Sequence, residues 1–213
     1  MNLILSDTDH LNATYTQEDG TPMYQVTTPF SLISPTATIE RAISGFEQGT
    51  AAAFTAHHRY EFLAQVEFHT WSSSILRIER EEVKTSVFFT EGGFTLRETL
   101  GSSRKFIGPD GKEYKWILNP KTPTLVLNDA ARTFVAKLHI KHYGIFHKAR
   151  PAFLEISPLG MHMVDLILIT FVYIEKLVVP REGRSEGMGV SSDMILPYSG
   201  PRSSVYEEVG LLD

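Results

Sequence analysis

The sequence predicts an all-β fold, an antiparallel barrel closed around a buried hydrophobic helix near the C-terminus. Three observations predict it. As far as about Ile156 the chain breaks into short β-prone runs separated by turn formers: Gly20, Pro22, Pro29, Pro35, Gly45, Gly49, Gly92-Gly93, Gly108-Pro109-Asp110-Gly111, Pro120 and Pro123. Two of those runs alternate apolar and polar residues with period two. The segment from Leu159 to Val179 is then apolar on nearly every side, a pattern that must be buried.

The alternating runs fix two strands. In the first, Ala64, Val66 and Phe68 point one way, and Gln65, Glu67 and His69 the other. In the second, Phe134, Ala136, Leu138 and Ile140 share a face, and Val135, Lys137, His139 and Lys141 share the opposite one. A single apolar face marks an antiparallel strand half-buried on a core. Residues 104–118 read as a hairpin, because Pro109 presets φ for a turn and Gly111 admits φ > 0. Further strands are expected over 23–28, 37–43, 74–78, 124–127 and 152–156. The stretch 79–103 carries Phe88-Phe89 and a Gly pair and reads as strand plus loop.

The apolar segment reads as a helix over about 158–178. Ser157 can serve as N-cap and Pro158 as first helical residue, and Pro180 is expected to stop it. Its β-branched content leaves strand open on periodicity alone. A membrane span needs about 20 mostly apolar residues, whereas Asp165, Glu175 and Lys176 interrupt this run. The expectation is a helix threaded through the protein core, with no transmembrane span. Residues 181–213, rich in Gly, Ser, Glu, Pro and Arg, read as a flexible tail to a single domain over 1–180.

Composition bounds the function. A chain of 213 residues with 42% hydrophobic and 21% charged residues can bury a core without staples. A formal net charge of -5 argues against a dedicated nucleic-acid binder. With no cysteine there is no disulfide framework, thiolate metal site or cysteine nucleophile, which fits a reducing compartment. The apolar run at Leu3-Ile4-Leu5 is too short for a signal-peptide core, so the expected location is cytoplasmic.

Three motifs bring a family into view. They are Val66-Glu67-Phe68-His69-Thr70-Trp71-Ser72-Ser73-Ser74, then Phe106-Ile107-Gly108-Pro109-Asp110-Gly111-Lys112-Glu113-Tyr114-Lys115-Trp116, then Leu154-Glu155-Ile156-Ser157-Pro158-Leu159-Gly160 continuing through residues 164–177. Together they resemble a large uncharacterised family from basidiomycete fungi, known only as a domain of unknown function, over roughly Leu11 to Val179. More distantly, the order of elements is similar to the tubby-like superfamily: tubby proteins, phospholipid scramblases and LURP-one-related proteins. That resemblance implies about a dozen strands closed around a hydrophobic C-terminal helix, and membrane-lipid association in some branches. It carries over no catalytic residues.

The candidate sites follow from charge and chemistry. From Ala130 to Leu154 there is no acidic residue, while Arg132, Lys137, Lys141, Lys148 and Arg150 stand there with His139, His142 and His147. Such a zone can attract anionic lipid headgroups, or it is a solvated strand face. The histidines suit zinc or copper by type, but 139 and 142 fall on opposite strand faces, so no metal and no cofactor is expected. His69 beside Ser72-Ser73-Ser74 invites a nucleophile reading, yet the sequence offers no Gly-x-Ser-x-Gly elbow and no third partner. Asp165 lies three residues after His162, so the pair can meet on one helix face, as a structural tie or as an anchor in a ligand cavity. His69, His162 and Asp165 are thus the cavity candidates.

The resulting expectation is a non-enzymatic binding domain, cytoplasmic or peripheral at a membrane, that meets anionic membrane lipid through its basic surface. The alternatives are an enzyme or carrier holding a small hydrophobic ligand in the barrel, and a protein-interaction scaffold. A polar-lined cavity beside the helix would favour the ligand reading. Oligomeric state is not encoded in any pattern seen.

Overall fold

The structure, a computed structural model, describes residues 1–31, 34–43, 59–69, 71–91, 103–119, 122–142 and 149–186. Thirteen strands lie among them: β1 Asn2–Leu5, β2 Ala13–Thr16, β3 Pro22–Thr27, β4 Thr36–Ile43, β5 Arg59–Glu67, β6 Ile75–Ile78, β7 Glu81–Lys84, β8 Thr90–Glu91, β9 Arg104–Ile107, β10 Glu113–Ile117, β11 Thr124–Leu127, β12 Phe134–His139 and β13 Phe153–Ile156. A single helical turn, α1 Thr85–Phe88, links β7 to β8. A 3₁₀ segment, Pro158–Met163, leads into α2 Val164–Glu186.

All ladders are antiparallel and form one sheet, in the order β7-β6-β5-β4-β3-β2-β1-β13-β12-β11-β10-β9-β8. Every neighbour in that order is also a neighbour in sequence except one pair, β1 and β13. Their register of Asn2 on Glu155 and Ile4 on Phe153 joins two meanders into a continuous wall. The N-terminal run, too short to read as more than an apolar stub, is therefore the joint of the sheet.

The expected closed barrel is corrected at one place. Among the described residues no ladder joins β7 to β8, so the sheet stays open at that seam. The physical reason is local. β8 has two residues, and the turn α1 stands between it and β7 in the chain. Aromatic packing fills the gap instead: Phe89 stacks on Tyr173 of α2 at 5.0 Å, Phe88 on Phe106 at 5.8 Å, and Phe106 on Tyr114 at 5.7 Å.

The wall surrounds α2. From Ile167 to Glu175 every helix residue is buried. Such a helix needs apolar partners on all sides, and the inward residues of nearly every strand supply them, among them Leu3, Tyr15, Ile39, Val66, Leu76, Trp116, Leu125 and Leu154. Burying each large apolar side chain contributes about 1.5–3 kcal/mol relative to exposure. Beside the helix the Trp116 indole N–H donates to Thr170 Oγ1 at 3.1 Å, and that hydroxyl donates to the Leu166 carbonyl at 2.8 Å. No helix among the described residues is long and apolar enough to cross a membrane.

Two details depart from simple alternation. Val135 was expected on the solvent face of β12, but a register shift opposite Leu125/Val126 leaves it as an extra residue, and Val135 and Ala136 are both buried. A similar shift beside Ile39/Glu40 leaves Phe62 half-exposed while Leu63 and Ala64 both turn inward. At the C-terminal end, α2 continues through Pro180 to Glu186 rather than stopping there. Proline removes one N–H donor and crowds the preceding turn, yet the helix carries on. Residues 187–213 of the expected tail lie outside the described residues.

Gly160 packs where α2 enters the wall. A Cβ there would lie 2.8 Å from Cδ1 of Ile167, 2.9 Å from Cγ2 of Ile156 and 3.1 Å from Cγ1 of Val135. All three side chains are buried and have little room to yield. Gly160→Val is expected to cost about 1–3 kcal/mol by overpacking, read as a fall in melting temperature of several degrees. An unchanged melting temperature would show that the 3₁₀ segment does not seat against the core as described.

Candidate functional site

The sheet presents two unlike ends. At the end where α2 begins, Asp165 accepts a hydrogen bond from the Tyr24 hydroxyl at 2.6 Å and pairs with Arg41. Burial, and then the Asp165 carboxylate, push the Tyr24 phenol well above its ordinary range, so it stays a donor. His162 instead reaches Asp110 at 3.7 Å, and Asp110 accepts from the Tyr114 hydroxyl at 2.9 Å. His162 and Asp165, read together as a helix-face pair, therefore go to different partners. Asp165 ties α2 to β3 and β4, and neither residue lies beside His69.

The opposite end is where the C-terminal half of α2 emerges. Backbone bonds bring its connections together: Leu5 N–H to Ala152 O at 2.9 Å, Phe68 N–H to Pro35 O at 2.9 Å, and Thr85 N–H to Ser74 O at 2.8 Å. Three apolar side chains from three of these connections stand in solvent. Phe30, following β3, is 90% exposed; Trp71, following β5, is 98% exposed; and Val87 of α1 is 73% exposed. Isolated exposed apolar residues are ordinary, but these three, the most exposed large apolar side chains among the described residues, all stand on connections of one end and make up its apolar rim.

A cleft of about 500 Å³ opens at the seam, lined in part by Ser72 and Ser86, the chain neighbours of Trp71 and Val87. Its polar lining is the hydroxyls of Ser72, Ser73, Thr85, Ser86 and Thr90 with Arg104, and its apolar wall is Phe89 and Tyr173. None of the three expected cavity residues, His69, His162 and Asp165, lines it. The Ser73 hydroxyl lies 3.1 Å from that of Thr85 and accepts from the Ser86 N–H at 2.9 Å, pinning α1 to the connection after β5.

His69 does not line this cleft itself but contacts Ser72, which does, and it has the third partner that sequence reasoning missed. Its Nδ1 lies 3.0 Å from Ser72 Oγ, and its Nε2 lies 2.8 Å from Glu67 Oε1. Arg77 holds the other Glu67 oxygen at 2.8 Å. Glu67 and His69 alternate on one face of the chain, which is the signal that was available. Arg77 comes from β6, directly opposite Gln65 in the ladder. The hydrogen bond from His69, and then that from Arg77, lower the Glu67 carboxyl below its ordinary 4.5.

The basic zone does not stay together. Arg132 lies in the turn between β11 and β12, at the far end of the strand from Lys141 and Arg150. Six strand residues, about 20 Å at 3.3 Å each, separate the two groups. Lys137 faces Glu155 of β13 across the ladder, and His139 pairs with that same Glu155 at 2.8 Å. The acid-free stretch of sequence thus meets acid from its neighbouring strand. His139 also stacks on Phe153 at 4.4 Å, and the Arg150 guanidinium lies 5.4 Å from the same ring. His142 bridges to Arg150 through the backbone. Lys148 and His147 lie outside the described residues. Lys141 and Arg150 remain at the end that carries the apolar rim.

A second pair escaped sequence reading altogether. Glu175, buried on α2, meets His10 Nδ1 at 2.8 Å, and its other oxygen, Oε2, has no hydrogen-bond partner. Burial, then Glu175, raise the Tyr15 phenol well above its usual range.

The Glu67 shift carries a sign. A carboxyl whose folded pKa lies below its unfolded value contributes stability above that unfolded value, and loses it as pH falls through the folded one. Glu67→Gln is therefore expected to lower stability slightly at pH 6, by about 1 kcal/mol or less for a partly exposed pair, read as a small fall in melting temperature. The difference from wild type should close as pH drops below about 4.5. A difference that grew in acid would contradict the assignment.

No curated protein and no solved structure matches the chain. A family model does match, from residue 8 before β2 to residue 178 in the last buried turn of α2, across both meanders and the helix they enclose. By that match the chain belongs to the family of unknown function DUF6593.

Proposed function

We propose that the domain is a peripheral binding module that docks on an anionic membrane surface through the end where α2 emerges. The observation that carries this reading is the apolar rim of Phe30, Trp71 and Val87 on three separate connections. Indole rings favour the bilayer interface, where one edge is apolar and the other wet. Lys141 and Arg150 stand at the same end, and basic groups near an anionic surface contribute about 1 kcal/mol each. The order of elements, strands wrapped on a terminal helix, fits the tubby-like superfamily, and its lipid-associating branches support the reading.

A ligand reading has its own observation, the cleft at the seam. Its volume of about 500 Å³ is in the range of small-molecule sites, and it pairs a hydroxyl-rich wall with two stacked rings. The two readings are compatible, since Ser72 and Ser86, the chain neighbours of Trp71 and Val87, line the cleft.

Co-sedimentation with vesicles tests the docking. Wild type is expected to bind vesicles containing anionic lipid at low salt and to release as salt rises, because screening shortens to about 8 Å at physiological ionic strength. Phe30→Ser with Trp71→Ser should abolish binding at every salt concentration, whereas Lys141→Glu with Arg150→Glu should abolish the preference for anionic lipid. A wild type that ignores anionic vesicles at low salt, or a rim variant that binds as well as wild type, overturns the bilayer reading and leaves the cleft reading in place.

A further inference from the structure

We propose that Ser72 is a nucleophile toward carboxylic esters that enter the cleft, with His69 as its general base. The inference builds on the cleft as a ligand site and is independent of bilayer docking. Three features of the geometry support it. Ser72 is exposed, lines the cleft, and holds its Oγ 3.0 Å from His69 Nδ1, within reach for proton transfer. The imidazole is fixed on its far side by Glu67, 2.8 Å from Nε2, and Glu67 is fixed in turn by Arg77. The loop is held as well, because the His69 N–H donates to Ser74 Oγ at 3.1 Å. A nucleophile, a base and a group that orients the base are the parts that activated hydroxyls share.

The environment of the ring suits the charge it would carry. The Ser73 carbonyl lies 3.1 Å from Nδ1 and can accept from that nitrogen once it bears the proton. Glu67, lowered by its bonds to His69 and Arg77, is ionised near neutrality and faces the other nitrogen. In the reaction, Ser72 Oγ forms a bond to the ester carbonyl carbon as its proton passes to His69 Nδ1. The bond from that carbon to the alcohol oxygen then breaks, and the leaving oxygen takes the proton from Nδ1. Water attacks the Ser72 acyl ester and gives a proton to His69, which returns it to Ser72 Oγ. The balance is ester plus water to carboxylic acid plus alcohol. The stacked rings of Phe89 and Tyr173 favour an apolar acyl or alcohol group, and the cleft volume of about 500 Å³ limits its size.

The chain has no cysteine, so Ser72→Cys places a single thiol in the protein. The full chain would be treated with a small fluorophosphonate and the adduct located by mass spectrometry, with p-nitrophenyl acetate hydrolysis followed in parallel. The expected result is one adduct, on Ser72, and hydrolysis reduced on the order of 100-fold in Ser72→Ala. Alkylation of Ser72→Cys at neutral pH is expected to run about 10-fold faster than in the same variant carrying His69→Gln, because the thiolate is the reactive form. Circular dichroism and melting establish that each variant is folded. No adduct, an adduct confined to other residues, or equal alkylation rates would overturn the proposal. Ser72→Ala should still sediment with anionic vesicles as wild type does, so loss of the chemistry and loss of docking are read separately.

Discussion

A helix that is apolar on every side cannot rest on one face of a sheet, and the architecture follows from that constraint. Nine consecutive residues of α2, Ile167 to Glu175, are buried. A surface helix hides only a stripe, so α2 needs a wall all round. Two antiparallel meanders provide it, and the β1–β13 ladder that joins them makes the wall continuous. Where the ladder stops, at β7 and β8, rings take over from hydrogen bonds, and Phe89 against Tyr173 keeps water from the helix. The cost of an opening in the sheet is offset by aromatic burial, and the cleft is what remains outside that plug.

The same constraint makes the two ends different. Where α2 enters, polar groups anchor it: Tyr24 and Arg41 on Asp165, with Gly160 small enough to let the chain turn against Ile156 and Ile167. Where α2 emerges, connections from both meanders gather around its C-terminal half, together with α1, the His69 cluster and the buried His10–Glu175 pair. A buried carboxylate with one unpartnered oxygen is costly, and Glu175 sits at this end. In the proposed mode of action the anchored end supports the fold and the gathered end meets ligand and membrane.

How far this was legible depends on range. The strand faces of β5 and the hairpin β9–β10 follow from period-two alternation and from the Gly-Pro-Asp-Gly turn, both local signals. The helix follows from composition. Long-range facts do not follow in this way. Nothing in Leu3-Ile4-Leu5 announces that it pairs with residues 153–155, and no local rule places a bulge at Val135. The basic zone was legible as a run of sequence but not as a surface. Extending the strand sends Arg132 to one end and Lys141 to the other, and the neighbouring strand sets Glu155 among the bases. His69 was singled out by its hydroxyl neighbours, and Glu67 was visible two residues away on the same face. The missing information was that the connection after β5 folds back to bring Ser72 onto the ring.

The chain carries two tryptophans, and the structure places them at opposite extremes, Trp71 98% exposed and Trp116 fully buried against Thr170. Tryptophan emission with bromine-labelled lipid therefore tests the docking end directly. On adding anionic vesicles, the account predicts a blue-shifted, bromine-quenched component that disappears in Trp71→Phe, while the Trp116 component is unchanged. Emission from Trp71 that neither shifts nor quenches on vesicles the protein is exposed to at low salt would contradict it.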